Sequence, residues 1–237
     1  MTISDALLAA IRDGLAAAAD PVRAPGMQAY MKSAMPYHGV ISPVNKPIFK
    51  RAIEDHPLPD AAAWAKAVRR LFHEATYREE WYGALAVLTH RLYRDHLSLA
   101  ALPLCEELIV AGAWWDIVDE VATGPLRDVL IKHPLEMGKS MRDWSVSPNL
   151  WKRRSSIICQ VGRRRSIDLR LLYDCIEPNL ADRDFFIRKA IGWALRDYAW
   201  ADPGEVVRYV AANEAMLSGL SRREALKNVS RIRGLGG

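Results

Sequence analysis

Apolar residues recur at the spacing of an α-helix through nearly the whole chain, and this periodicity is the strongest constraint on the fold. No run of alternating β-branched and polar residues is long enough to predict a strand. Prolines and capping signals, such as Pro134, Asp202-Pro203 and the Ser221-to-Glu224 capping box, divide the pattern into roughly a dozen helices. Two of these helices are predicted over 125–143 and 221–229. The sequence therefore predicts an all-α protein.

The length and the helix spacing indicate how these helices are organised. The 237 residues, half of them hydrophobic, can bury a substantial core in one extended domain or in two small ones. Predicted helix pairs recur about every 35 to 45 residues, a period typical of HEAT-like repeats. We therefore expect a right-handed superhelical solenoid of HEAT-like repeats with a concave face. A compact, irregular helical domain is the alternative.

The cysteines and the apolar segments indicate the compartment. Cysteine occurs three times, an odd number, and no CxxC pair is present, so neither a disulfide framework nor a zinc site is favoured. Residues 1–20 read as an amphipathic helix with acidic residues rather than as a signal peptide. No apolar stretch reaches the length of about eighteen residues that predicts a membrane span. We expect a cytoplasmic protein that does not enter a membrane.

Several kinds of catalytic site have no support in the sequence. The six histidines show no metal-ligand spacing and no evident nucleophilic partner. No glycine-rich loop of the kind that cradles phosphate occurs. We therefore expect neither a metal nor a cofactor, and carboxylate and aromatic side chains are left as the groups that could carry chemistry.

Positive charge is concentrated in one part of the chain. The formal net charge is only +5, but residues 151–170 contain seven basic residues against one acidic residue, Asp168. A solvated helix face and loop would account for such a run. Tryptophans at positions 144, 151 and 193 lie near it in the sequence, and basic residues mixed with aromatic ones are typical of a nucleic-acid surface.

The segment 114–121 places a tryptophan and a carboxylate beside a predicted core. On a helix, Trp114, Ile117, Val118 and Val121 form an apolar stripe, while Trp115 and Asp119 lie together roughly 100 to 140° away. The spacing of two aspartates, at 116 and 119, would also suit an acid/base pair, although aspartates this close on a helix are more often caps or solvated groups.

The segment 185–198 carries two different stripes. Its apolar stripe consists of Ile187, Ala190, Ile191, Ala194 and Leu195. A separate stripe has a tryptophan in the middle of two basic residues, and its members are Lys189, Trp193 and Arg196. This second stripe predicts a surface that contacts a partner.

Arg154 falls near the centre of the apolar face formed by Leu150, Ile157 and Val161. An unpaired charge there would be costly, so Arg154 should lie at a rim or be matched to a carboxylate or a phosphate. A salt bridge to an aspartate of the segment 114–119 and a functional role are both open from periodicity.

Several motifs together carry a family resemblance that covers nearly the whole chain. The chain resembles the HEAT-like-repeat DNA alkylation repair family, the AlkD-type alkylpurine DNA glycosylases. The motifs are Glu106-Glu107-Leu108-Ile109-Val110, Trp114-Trp115-Asp116-Ile117-Val118-Asp119, Lys132-His133-Pro134, residues 185–193 with Leu195-Arg196, Ser221-Arg222-Arg223-Glu224-Ala225, and, near the N-terminus, Tyr30-Met31-Lys32, Gly39 and Pro43.

The resemblance implies an activity and a set of site residues. It implies a monofunctional glycosylase, acting as a single domain over 1–237, that removes positively charged N3- and N7-alkylpurines from duplex DNA without a metal or cofactor and without flipping the base. The family's active-site tryptophans are similar to Trp115 and Trp193, its catalytic aspartate to Asp119, and its DNA-contacting arginine to Arg154. Tyr30 is similar to a family residue near the lesion strand. We expect a monomer with no obligate protein partner.

The basic residues would then line the concave face and contact DNA phosphates with little sequence preference. The expected contacts are Arg153, Arg154, Arg163, Arg164, Lys189 and Arg196. The runs at 152–154 and 163–165 are more basic than the family pattern, and Trp200 adds an aromatic residue. A non-catalytic helical-repeat module that binds damaged or branched DNA is the main alternative, and a protein-binding HEAT scaffold is a further one.

Overall fold

A computed structural model describes residues 2–229 and contains fourteen α-helices and no strand over that range. The prediction of an all-α fold is confirmed. In chain order the helices are α1 (Ile3–Ala17), α2 (Ala24–Met31), α3 (Ser42–Asp55), α4 (Ala61–His73), α5 (Arg78–Thr89), α6 (Leu102–Gly112), α7 (Trp115–Val121), α8 (Arg127–Lys132), α9 (Pro134–Ser145), α10 (Leu150–Ile158), α11 (Leu169–Ile176), α12 (Phe185–Tyr198), α13 (Pro203–Ala212) and α14 (Gly219–Leu226).

The chain forms two compact units, Met1–Leu104 and Cys105–Gly237. In each unit, helices close in sequence pack on one another, as in stacked helical repeats: α1 with α3 and α4 with α5 in the first, α9 with α10 and α12 with α14 in the second. No helix among residues 2–229 is both long and apolar enough to cross a membrane.

The first unit is held by apolar faces and by buried carboxylates. Leu7, Leu8, Ile11 and Leu15 bury one face of α1. The connection between α2 and α3 is fixed by Glu79, which is buried and accepts the backbone N–H groups of residues 38, 39 and 40 at 2.9–3.1 Å. A buried carboxylate is stable when such donors surround it.

The core of the second unit includes the apolar stripe that the sequence predicts on α12 and the helical residues of the stripe predicted over 114–121. Ile117, Val118 and Val121 are buried on α7. On α12 the buried residues are Ile187, Ala190, Ile191, Gly192, Ala194 and Leu195. α10 packs against α7, α9, α11 and α12, so it forms the centre of this unit.

The helix predicted over 125–143 is interrupted, and that prediction is wrong. A π turn over Ala122–Leu126 contains Pro125 and leads from α7 into α8, which ends at Lys132. α9 then starts at Pro134. Proline has no N–H to donate, and its ring disfavours helical backbone at the preceding residue, here His133, so the helix ends at this dipeptide.

The capping box predicted at Ser221 is also wrong. α14 starts at Gly219, and its cap is Ser218, whose Oγ accepts the Ser221 N–H at 3.0 Å. The Ser221 hydroxyl donates instead to the backbone carbonyl of Arg188 on α12, at 3.0 Å. Glu224 is therefore not a capping residue, and its carboxylate is available to pair across the helix interface.

Candidate active site

Asp119 and Trp115 lie one helical turn apart on the same face of α7. The chain turns sharply from α6 into α7 at Ala113, whose φ of 38° is in the left-handed region. Trp114 then adopts extended backbone as the N-cap of α7, and Trp115 is the first helical residue. The spacing of four residues places Trp115, which is 36% exposed, beside Asp119, as the sequence predicts.

Arg154 of α10 holds the Asp119 carboxylate in a two-point ion pair. Nε donates to Oδ1 and Nη2 donates to Oδ2, each at 2.7 Å. The remaining terminal nitrogen, Nη1, donates to the backbone carbonyl of Phe186 on α12 at 2.6 Å. The side-chain exposure is 6% for Arg154 and 18% for Asp119. The arginine is thus buried with each guanidinium nitrogen engaged, while its carboxylate partner keeps some contact with solvent.

This contact is the salt bridge to the segment 114–119 that periodicity left open for Arg154. A cation near the centre of an apolar helix face needs a partner, and an aspartate of the segment 114–119 supplies it. The same pairing leaves none of the three guanidinium nitrogens unengaged for a DNA phosphate in this structure.

Two opposing influences set the ionisation of Asp119. Burial raises the pKa of its carboxyl from the ordinary value of 3.8, and the Arg154 hydrogen bonds and charge act in the other direction. Asp116, on the same helix, adds a further upward influence on the pKa of Asp119. Because a guanidinium stays protonated in proteins, the buried Arg154 favours an anionic Asp119 at neutral pH.

An aromatic cluster lies beside the ion pair. Trp151, Trp114 and Phe186 are in mutual contact, with ring centroids 5.0 to 6.2 Å apart. The Arg154 guanidinium carbon lies 5.9 Å from the centroid of the Phe186 ring. Sequence reasoning missed this cluster, because it assigned Trp114 to the apolar stripe of a helix that in fact starts one residue later. The pair of aromatic residues at 185–186 was the available signal.

The stripe predicted on α12 is formed, but its cations have a protein partner. Glu224 of α14 accepts from Lys189 at 3.1 Å and also from Arg196. The two helices approach closely at Gly192, where a Cβ would come 2.5 Å from the Glu224 Cβ and 3.0 Å from the Ser221 carbonyl oxygen. Lys189 and Arg196 therefore flank Trp193 as predicted, with one carboxylate shared between them.

Arg153 and Lys152, next to Arg154 on α10, also have partners within the second unit. Arg153 Nη1 donates to the backbone carbonyls of residues 147 and 148, at 2.9 and 3.2 Å, and its Nη2 donates to Asp182 at 3.1 Å. Lys152 pairs with Glu106 at 2.6 Å. These two cations thus join parts of the protein to one another in this structure.

The loop after α10 carries the arginines 163–165. Gly162 has a φ of 90°, and its N–H donates to the Asp197 carboxylate at 2.8 Å. Arg163 donates to Gln160 Oε1 at 3.3 Å. Arg164 is exposed, with its guanidinium carbon 6.0 Å from the centroid of the Trp200 ring. Trp200 and the basic run, both of which depart from the family pattern in sequence, thus lie together.

The remaining candidates are Tyr30 and the side chains that could bind a metal. Tyr30, on α2 in the first unit, is 78% exposed. No cluster of three or more metal-ligating side chains occurs among the described residues, and each of the three cysteines is buried.

Comparisons with known proteins identify the family. A family model described as DNA alkylation repair enzyme matches residues 11–229. A comparison with curated protein sequences gives no match. Among solved structures, the chain is similar to a predicted DNA alkylation repair enzyme from Enterococcus faecalis, with 25% identity and a TM-score of 0.79 over 87% of this chain and 94% of that one. The two proteins share a fold. Since the family model covers most of its length, the chain belongs to the DNA alkylation repair enzyme family.

Proposed function

We propose that this protein is a monofunctional DNA glycosylase that hydrolyses the N-glycosidic bond of positively charged N3- and N7-alkylpurines in duplex DNA. The observation that carries the proposal is the partly exposed Asp119 carboxylate, held at two points by a buried arginine, with the exposed Trp115 one turn away on the same helix face. Such a fixed anion suits a reaction in which positive charge develops on a sugar.

The chemistry requires little more than this anion. An alkylated purine of this kind is already cationic, so it leaves as a neutral base when it takes the electrons of the C1′–N bond. The deoxyribose then carries oxocarbenium-like positive charge, and a pre-organised carboxylate stabilises that charge. A water oxygen forms the new bond to C1′, and the proton that the water loses passes to solvent or to the Asp119 carboxylate. Asp119 would also orient this water.

The tryptophans would favour a charged lesion over a neutral base. The faces of Trp115 and Trp193 attract cations by about 0.5 to 2 kcal/mol each, depending on how far the site is desolvated. We propose that the enzyme acts at the duplex surface and leaves the target base largely stacked, in contrast to glycosylases that extrude it. A strict preference for methyl adducts over bulky N3 or N7 adducts would contradict an open site of this kind.

The basic residues available for DNA are those whose charge is not already paired with a carboxylate in the described part of the protein. Arg164 and Arg165 are exposed on the loop after α10, and we propose that they contact phosphates, with Arg163 beside them. Tyr30 is exposed on α2 and is proposed to contact the lesion strand. Binding should weaken steeply with salt and depend little on sequence. We expect the enzyme to act as a monomer in the cytoplasm.

The test is release of N7-methylguanine and N3-methyladenine from a defined duplex by the wild type and by Asp119→Asn. Loss of the carboxylate charge should lower kcat by about 10²- to 10³-fold, the range seen when one charge-stabilising group is removed. Affinity for undamaged duplex should not fall, because the substitution removes a negative charge and no cation. Asp143→Asn, a change at an exposed aspartate on α9, is the matched control and should keep full activity.

A DNA-recognition module without catalysis is the second candidate. The observation that favours it is that Arg154 engages both Asp119 oxygens, as a purely structural ion pair would. Tight binding of alkylated duplex with no release of either base by the wild type would support this candidate and reject the glycosylase.

A further inference from the structure

We propose that Asp184 is a positioning residue for the Asp119–Arg154 pair, acting through the backbone at the start of α12. The role rests on the proposed function, since it concerns the anion assigned to the chemistry. It adds to that function a role for residues 182–186, the α12 entry segment, in keeping Arg154 and therefore Asp119 in position. The segment is linked to Asp119 through Arg154, which contacts both.

The α12 entry segment contacts two consecutive arginines of α10. Asp182 accepts from Arg153 Nη2 at 3.1 Å, and the Phe186 carbonyl accepts from Arg154 Nη1 at 2.6 Å. The Phe186 ring lies beside the same guanidinium, at 5.9 Å. Arg154 thus has one edge on Asp119 and its remaining nitrogen on α12, and these two attachments together fix the plane of the guanidinium.

The position of the Phe186 carbonyl depends on Asp184. As the N-cap of α12, Asp184 accepts the Phe186 N–H at 2.6 Å and the Ile187 N–H at 3.4 Å through the same oxygen. Its own N–H donates to the Asp182 side chain at 2.8 Å. The first N–H groups of a helix have no partner within the helix, so a lost cap lets the first turn fray. Fraying here would move the carbonyl that holds Arg154.

A loosened Arg154 would disturb Asp119 without removing any charge. The carboxylate would remain, but its oxygens would no longer be held in one orientation toward the sugar and the attacking water. Displacements of about 1 Å at a reacting centre can lower rates on the order of 100-fold. The DNA-contacting arginines 163–165 lie on a different loop, so affinity should be preserved while turnover falls.

The experiment compares Asp184→Ala with Asp184→Asn and with Asp202→Ala. Asparagine caps a helix about as well as aspartate, so Asp184→Asn should restore the function that alanine loses. Asp202 caps α13 by accepting the Glu205 N–H at 2.9 Å, and its removal controls for general destabilisation of the second unit. We expect Asp184→Ala to lower kcat by about 10- to 100-fold, with KM and affinity for undamaged duplex within about twofold of wild type. Asp202→Ala should keep wild-type kcat.

A second measurement does not depend on catalysis. Hydrogen exchange of the Arg154 Nε–H, followed by NMR on protein with ¹⁵N-labelled arginine, reports how firmly the guanidinium is held. Exchange should be at least about tenfold faster in Asp184→Ala than in the wild type, Asp184→Asn or Asp202→Ala. Unchanged exchange, equal kcat losses in the two alanine variants, or failure of asparagine to restore kcat would each overturn the positioning role. Absence of base release by the wild type would reject the proposed function instead.

Discussion

Removal of both partners of the Asp119–Arg154 pair should cost less stability than the two single removals added together. Arg154→Met keeps much of the side-chain volume but leaves a largely buried carboxylate without its cation. Breaking a buried ion pair in this way costs about 3–5 kcal/mol, and we expect about 3 kcal/mol because Asp119 keeps 18% side-chain exposure. Asp119→Asn leaves an uncompensated guanidinium and should cost a similar amount.

In the double variant no unpaired charge is left. The Phe186 carbonyl still loses its donor, which costs about 1–3 kcal/mol when the carbonyl is buried. The double variant should therefore be less destabilised than the sum of the single variants by at least about 2 kcal/mol, whereas independent sites add to within about 0.5 kcal/mol.

The loss of stability caused by Arg154→Met should also depend on pH, and the structure indicates whether this loss grows or shrinks as the pH rises. Burial already raises the pKa of Asp119 above 3.8 in the folded protein, and loss of the opposing guanidinium raises that pKa further. A carboxyl whose pKa is higher in the folded than in the unfolded state favours folding while it is protonated and disfavours folding once it ionises. The difference in free energy of unfolding between the wild type and Arg154→Met should thus be smallest at acidic pH. It should widen as the pH rises from the folded pKa of Asp119 in the wild type towards its higher folded pKa in the variant.

The assay is urea denaturation followed by circular dichroism for the wild type and the three variants, repeated across the acidic range. The pair Arg142–Asp174 provides a control cycle, since its contact is also short, at 2.6 Å, but its side chains are 42% and 35% exposed. An exposed pair of this kind should couple by less than about 1 kcal/mol. Equal coupling in the two cycles, or a difference that narrows as the pH rises, would refute the account of Asp119 as a buried, charge-compensated group.

Three further predictions concern other parts of the second unit and the buried thiols. Glu224→Gln frees its two basic partners on α12, so DNA affinity should rise and the slope of log binding constant against log salt concentration should steepen by up to about 2. Anisotropy titrations between low and moderate salt measure this slope. An unchanged slope would show that these cations do not reach phosphate. Gly192→Ala should destabilise by about 1–3 kcal/mol in thermal or urea melts, because its Cβ would meet α14, whereas Gly26→Ala, with open space around it, should be neutral or stabilising. Burial raises the pKa of Cys105 to about 12, so a thiol-specific reagent at neutral pH should leave it unmodified in the native protein and label it only after denaturation.

Much of the local structure could be predicted because it depends on residues close together in the chain. The spacing of Trp115 and Asp119 places them on one helix face wherever that helix packs. The apolar stripes of α7 and α12 are likewise properties of a helical period, and the structure buries both. The errors were local too: the break at Pro134 and the cap at Ser218 depend on which of several adjacent signals ends or begins a helix, and periodicity does not resolve that choice.

The all-α class, the helix faces and the chemical groups on them therefore follow from the order of residues along the chain. The pairing of these groups depends on how the helices pack. Arg154 meets Asp119 and the Phe186 carbonyl, and Glu224 meets the two cations that flank Trp193. These partners are 28 to 35 residues apart in the chain. Their contacts depend on how closely two helices approach and on which backbone carbonyls are turned toward the interface, and neither is encoded in the pattern of a single helix. The same packing decides which positive charges remain available to a nucleic acid, because a cation engaged by a neighbouring helix has its charge already compensated.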